Sequence, residues 1–246
     1  MKCVILAAGY ATRLYPLTEN FPKPLLDVKG KTIIDWLIGD LDGLGLISEF
    51  IIVSNHKFVE HFQKWQEGLN YRAKVTVIDD GTMDNEHRLG AVKDIAFAIE
   101  TCDIKEDMLV LAGDNLTDFS LKGFVEYFGE KQATCIMRHY EESVEKLRRT
   151  GVITIDEQEK VLEMQEKPAE PKSHWAVPPF YIYRADDLER IVKAVNEQVC
   201  NVDAPGDFIA WMCKHSDVYA YEMPGSRYDI GNLESYREIQ EKYVGM

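Results

Sequence analysis

The sequence predicts an α/β fold: a single doubly wound, mixed and mostly parallel sheet flanked by helices, with a smaller β-rich part toward the C-terminus. Three observations carry this expectation. Short β-branched runs alternate with longer segments of helical period, the pattern of strand–helix–strand units. A loop from Ala7 to Leu26, carrying Pro16, Pro22 and Pro24, follows the first apolar run. It is far longer than the usual roughly two to six residues of such connections, and loops of that length in a compact domain are usually functional. After about Ala133 the pattern turns strand-rich.

Taken in order, Cys3–Ala7, Phe50–Ser54, Val75–Ile78 and Met108–Ala112 read as central strands. Between them, Ile33–Leu44, Phe58–Trp65 and Ala91–Ile99 repeat apolar residues at spacings of three and four and read as crossover helices. Ala133–His139 reads as a further strand. Gly151–Ile155 and Val161–Gln165 flank the polar DEQEK, which predicts a hairpin. Trp175–Tyr183 reads as one long strand, followed by a helix from Asp186 to about Val199 and another after Pro205-Gly206. A strand at Val218–Glu222 and a helix at Leu233–Tyr243 complete the chain. No internal repeat or linker separates these segments, so one composite domain is expected.

Composition narrows the function. Lys and Arg number 28 against 42 Asp and Glu, a net charge of −14, the wrong sign for holding nucleic acid by phosphate neutralisation. An anionic small substrate would need a local cluster of cations to reverse that field. The five cysteines form no CxxC pair and are odd in number, which argues for reduced thiols in the cytoplasm. The Val4–Ala8 run is too short for a signal peptide, and no stretch approaches the roughly 18 apolar residues of a membrane span.

Few local motifs stand out. Gly9 follows the first strand, where backbone amides can turn inward on phosphate oxygens, but AAGYATR is neither GxGxxG nor a P-loop. Arg13 lies four residues on, and Lys23 is held between Pro22 and Pro24, which suits a fixed cation. In open α/β sheets ligands bind beyond the carboxyl ends of strands, where the AGDN turn places Asp114. A carboxylate there can bind a hard cation through oxygen, but alone the turn reads rather as an Asx-turn or helix cap. Asp229 in YDIGN has the same two readings, and nothing local links the two carboxylates. Glu166-Lys167-Pro168 alone reads as a solvated turn. His56 and His61 are five apart and miss the i, i+4 face of a metal-binding helix.

Together, LAAGYATRLYPLTENFPKPLL at 6–26, AGDN at 112–115, the GVITID hairpin leading to EKP at 166–168, and YDIGN at 228–232 resemble the sugar-phosphate nucleotidyltransferases, in that family's order and across nearly the whole chain. Within it they are most similar to the bacterial glucose-1-phosphate thymidylyltransferases. The resemblance implies a Rossmann-like nucleotidyltransferase domain over 1–246, with a nucleotide-binding part at about 1–130 and a sugar-phosphate-binding part at about 131–246. It implies a cytoplasmic enzyme, a pyrophosphorylase, that couples dTTP, UTP or CTP to a sugar 1-phosphate with Mg²⁺, without nucleic acid or membrane, and it allows a homo-oligomer. By motif, Leu6, Ala8, Gly9, Tyr10, Ala11, Thr12 and Arg13 would wrap the triphosphate, with Arg13 and Lys23 on its phosphates. Gly90 would lie against the nucleobase. Asp114 and Asp229 would hold Mg²⁺, Lys167 the acceptor phosphate, and Gly151, Glu166 and Val177 the sugar. Arg13, Lys23, Asp114, Lys167 and Asp229 form the catalytic set.

Three departures carry expectations of their own. Ala11 stands where the family loop has a glycine, so the backbone there is expected to avoid conformations only glycine tolerates. Asp79 and Asp80 replace the family's base-facing glutamine, and a carboxylate such as Asp80 suits a base with an exposed amino group. Pro178 and Pro179 remove amide donors from the sugar-contacting strand, which leaves the sugar open. PGDFIAW and YDIGNLESYREI also resemble the phosphocholine cytidylyltransferases, in which Trp175, Tyr181, Trp211 and Asp207 would furnish a cation pocket. That acceptor, or a catalytically silent nucleotide-binding relative, is the alternative.

Overall fold

Hydrophobic period sets most element boundaries in the computed structural model, which describes residues 1–245. In chain order these are β1 (Lys2–Leu6), β2 (Asp27–Val28), β3 (Lys31–Thr32), α1 (Ile33–Leu44), β4 (Glu49–Ser54), α2 (Val59–Gln66), β5 (Lys74–Asp79), α3 (Ala91–Thr101) and β6 (Met108–Ala112). Then follow β7 (Asn115–Thr117), α4 (Lys122–Lys131), β8 (Thr134–Tyr140), α5 (Val144–Leu147), β9 (Gly151–Ile155) and β10 (Val161–Glu166). The chain ends with β11 (Trp175–Val177), β12 (Phe180–Tyr183), α6 (Ala185–Asn196), α7 (Pro205–Met212), β13 (Val218–Glu222), β14 (Arg227–Asp229) and α8 (Leu233–Lys242). The architecture is the expected mixed α/β one, strands flanked by helices with small antiparallel sheets beside them.

The chain packs as two compact units: residues 1–89, 111–122 and 224–246 form the first, and 90–110 and 123–223 the second. The expected division near residue 130 therefore falls inside the second unit.

In the first unit β4 pairs in parallel with β1 and β5. Flanked on both sides, β4 is buried along its whole length, which is why FIIV reads as an unbroken apolar run rather than an alternation. Helix α1 starts where the Thr32 hydroxyl accepts from the Asp35 amide and stops at Gly45, whose φ of 67° continues no helix. β2 and β3 form a hairpin about Lys29 and Gly30, both at positive φ, as a two-residue turn of the primed type requires. β7 and β14 pair antiparallel and bring Asp229 opposite Asn115. Helix α8 begins with a capping box between Asn232 and Ser235. Leu14, Leu26, Val28, Ile33, Leu116, Ile230, Ile239 and Tyr243 form one buried cluster beneath these elements.

In the second unit β8 pairs antiparallel with β11 and β12 and parallel with β13. The β9–β10 hairpin forms as expected, its turn held by Asp156, whose side chain accepts from the Gln158 and Lys160 amides. The single strand expected over Trp175–Tyr183 is instead two, β11 and β12. Pro178 and Pro179 supply no amide to a ladder and break it, with the Phe180 amide bonded to the Pro178 carbonyl. Among the described residues no helix is long and apolar enough to cross a membrane.

Candidate functional site

The candidate nucleotide and metal residues, Gly90 excepted, lie in the first unit. The loop after β1 is fixed from below: the Ala7 amide donates to Val53 O, and the fully buried Asn55 donates through Nδ2 to Ala8 O at 2.9 Å. Ala8 and Tyr10 are buried, whereas Gly9, Thr12 and Arg13 are exposed. A Cβ at Gly9 would meet nothing within 4 Å, so the outer face of this loop is open backbone. Ala11 contradicts its expectation. It takes the left-handed conformation (φ 47°, ψ 41°), held there because its carbonyl accepts from Thr18 Oγ1 at 2.8 Å and from the Leu14 amide. For a residue with a Cβ this costs roughly 1–2 kcal/mol.

Asp114 and Asp229, which nothing local links, meet through the β7–β14 pair. Asn115 sits opposite Asp229 and accepts from Arg227 Nη1, while Asp118 accepts from the Ser226 amide and the Tyr228 hydroxyl. Gly113 lets the turn lie against β1: its amide donates to Leu6 O, and a Cβ there would stand 3.0 Å from Ile5 Cγ2. Lys23 Nζ is 2.7 Å from Asp114 Oδ2 and 3.7 Å from Asp229 Oδ1. Arg13 Nη1 and Asp229 Oδ2 flank the open side of Gly231, each 4.0 Å from where a Cβ would stand. The lysine side chain is 7% exposed, the carboxylates 39% and 50%, and Asp114 Oδ1 accepts from Asn115 Nδ2 at 2.8 Å. Among the described residues no group of three or more His, Cys, Asp or Glu converges. Two exposed carboxylates fit Mg²⁺, which keeps water and substrate oxygens in most of its coordination positions, better than a metal needing a full protein cage.

Asp80 is tied to Thr82, accepting from its amide and hydroxyl at 2.7 Å each, and burial raises its pKa. The Thr82 hydroxyl lies 3.3 Å from that of Tyr10, so the buried Tyr10 ring is turned inward. Gly90 belongs to the second unit and has a packing reason of its own. At φ 95° it opens α3 against the 202–203 backbone, 2.9 Å from where a Cβ would stand. The Val202 and Asp203 carbonyls accept the first amides of α3, which helix ends otherwise leave unpaired.

The acceptor candidates all lie in the second unit. Register places Glu166 opposite Gly151 and Gly151 opposite Val177, three adjacent positions on β10, β9 and β11. The Glu166 carboxyl fills the hollow left by two glycines: a Cβ at Gly206 would fall 1.9 Å from Oε2, and one at Gly151 3.3 Å from it. Burial raises its pKa, Lys167 opposes that shift, and Asp207 and Asp203 add to it by repulsion. Asp207 is itself raised by burial. Lys167 Nζ is 3.7 Å from Glu166 Oε1 and largely exposed. Its backbone is left-handed at φ 46°, anchored by its amide on Thr150 O. Gly206 and the Asn115–Arg227 contact were missed from sequence. Gly206 falls in PGDFIAW and Asn115 in AGDN, but neither motif tells which distant residue lies against it.

The three aromatic residues of the phosphocholine alternative do not assemble a cage. Trp175 stacks on the Arg138 guanidinium at 4.5 Å, Trp211 on His215 at 4.3 Å, and Tyr181 is buried against Tyr183.

Solved structures share this fold. A Bacillus anthracis protein assigned as a glucose-1-phosphate thymidylyltransferase, solved with sucrose, superposes at a TM-score of 0.81 with 22% identity, covering 100% of this chain and 97% of that one. A UDP-glucose pyrophosphorylase complexed with UDP-glucose gives 0.83 and 23%, covering 98% and 97%. The UTP-bound enzyme of that type from Acinetobacter baumannii gives 0.79 and 19%, covering 98% and 92%. The nucleotidyl transferase family model matches residues 2–245. The match runs over nearly the whole length, and the chain belongs to the nucleotidyl transferase family.

Proposed function

We propose that this enzyme transfers a nucleotidyl group from dTTP, UTP or CTP to a sugar 1-phosphate and releases pyrophosphate. The observation that carries the reading is the meeting of Asp114, Asp229 and the buried Lys23 beside the open loop after β1. It supplies the local cation and the paired carboxylates that a polyanionic substrate needs in a chain of charge −14. The sugar and UTP ligands of the structural neighbours support the substrate class. The two units serve one nucleotidyltransferase domain, with the nucleotide candidates other than Gly90 in the first and the acceptor candidates in the second. Free thiols at all five cysteines accord with a cytoplasmic setting.

Arg13 and Lys23 hold the triphosphate oxygens, and the amides from Gly9 to Thr12 line the loop's open face. Lys167 neutralises the acceptor phosphate, while Glu166 accepts from a sugar hydroxyl. A phosphate monoester has a second pKa of about 6, so its oxygen is already anionic near pH 7 and needs no strong base. That oxygen bonds to the α-phosphorus as the bond to pyrophosphate breaks in line. The residues contribute position and charge rather than covalent chemistry. Asp114 and Asp229 would hold Mg²⁺, which when bound acts as a Lewis acid on phosphoryl oxygens. The phosphocholine reading is weakened by the engagement of Trp175, Tyr181 and Trp211 elsewhere.

Asp114→Asn tests the reading. Turnover is expected to fall at least about 100-fold, the scale of losing one charge-stabilising group, with little change in melting temperature because Lys23 keeps Asp229. Parallel loss of fold and activity would make Asp114 a turn-capping residue instead.

A further inference from the structure

Lys23 stands where its charge serves the carboxylates before any substrate arrives. Its ammonium group bridges Asp114 at 2.7 Å and Asp229 at 3.7 Å, and its side chain is 7% exposed. The Pro22 and Pro24 flanks and the turn Lys23–Leu25 hold its backbone, so the side chain starts from a fixed point beside the two carboxylates. The other cations nearby are engaged or set apart: Arg227 donates to Asn115 Oδ1, and Arg13 approaches from the Gly231 side.

We propose that Lys23 makes divalent metal binding conditional on the triphosphate, its ammonium group occupying Asp114 and Asp229 until phosphate oxygens offer it another anion. This rests on the reading of those two aspartates as metal ligands. A divalent cation entering alone would leave three positive charges against two negative ones at close range, one of them on a buried ammonium group. A triphosphate supplies the missing negative charge, draws Lys23 to its oxygens and frees the carboxylates. Metal and nucleotide then bind with positive coupling, and linkage requires each to favour the other equally.

The test uses Mn²⁺ alone with the full chain and no nucleotide, following free Mn²⁺ by its paramagnetic resonance signal. The wild type is expected to bind weakly, Lys23→Met at least about tenfold more tightly, the scale of removing one nearby charge at partial exposure. Lys23→Arg keeps the cation and should stay at the wild-type level. Asp114→Asn added to Lys23→Met should abolish the gain. Should Lys23→Met not fold, Lys23→Gln carries the same comparison. A folded neutral variant that binds Mn²⁺ no better than the wild type overturns the proposal. A parallel titration of the Mn²⁺–triphosphate complex against wild type and Asp114→Asn separates the two readings: equal affinity there would remove Asp114 from the metal site altogether.

Discussion

The carboxyl of Glu166 shows how much of this chemistry is decided by what lies beside one side chain. It sits in the hollow of Gly206 and Gly151 with Asp207 and Asp203 near enough to repel it, and burial raises its pKa. A raised carboxyl binds more protons in the folded than in the unfolded chain. Stability therefore falls as pH climbs from the ordinary value of 4.5 to the raised one. Glu166→Gln removes that penalty: its melting temperature is expected to exceed the wild type's at pH 8, the gap closing toward pH 4. A variant less stable than the wild type at both pH values would mean that Glu166 is held by contacts favouring its charged form. The identity of Glu166 as a candidate was legible from EKP, but its environment was not, because Gly206 lies forty residues away in sequence. Ala11 failed for the opposite reason. A missing glycine argued against left-handed backbone, yet two hydrogen bonds to its carbonyl outweigh a cost of roughly 1–2 kcal/mol.

Elements with a long apolar period were read correctly from sequence. Helix α1 spans Ile33–Leu44 and β13 spans Val218–Glu222, as expected from pattern alone. The short pair β7–β14 was not legible, since three-residue strands have no period and their partners are more than a hundred residues apart. Yet that pair is what brings Asp229 to Asp114. Helix α7 offers a test at this scale. Gly206→Ala places a Cβ where the Glu166 carboxylate now lies, and the side chain must swing away. The KM for the acceptor is expected to rise on the order of tenfold, one charge-assisted hydrogen bond, with little change for the triphosphate or in melting temperature. An unchanged acceptor KM would show that Glu166 does not reach the sugar.

Over the whole molecule, the charge of −14 required from the outset that any phosphate chemistry be confined to a few placed cations. In the proposed reading Lys23 would meet that requirement in the first unit and Lys167 in the second. The discontinuous make-up of those units was beyond the reach of sequence, because it depends on which distant strands pair. The most direct test is pyrophosphate release across dTTP, UTP, CTP, ATP and GTP against several sugar 1-phosphates and phosphocholine, with Mg²⁺ and with EDTA. A signal from one pyrimidine triphosphate with a sugar 1-phosphate, abolished by EDTA and restored by Mg²⁺, is the predicted result. A signal confined to CTP with phosphocholine, or none from a folded protein that binds the triphosphate, would contradict it.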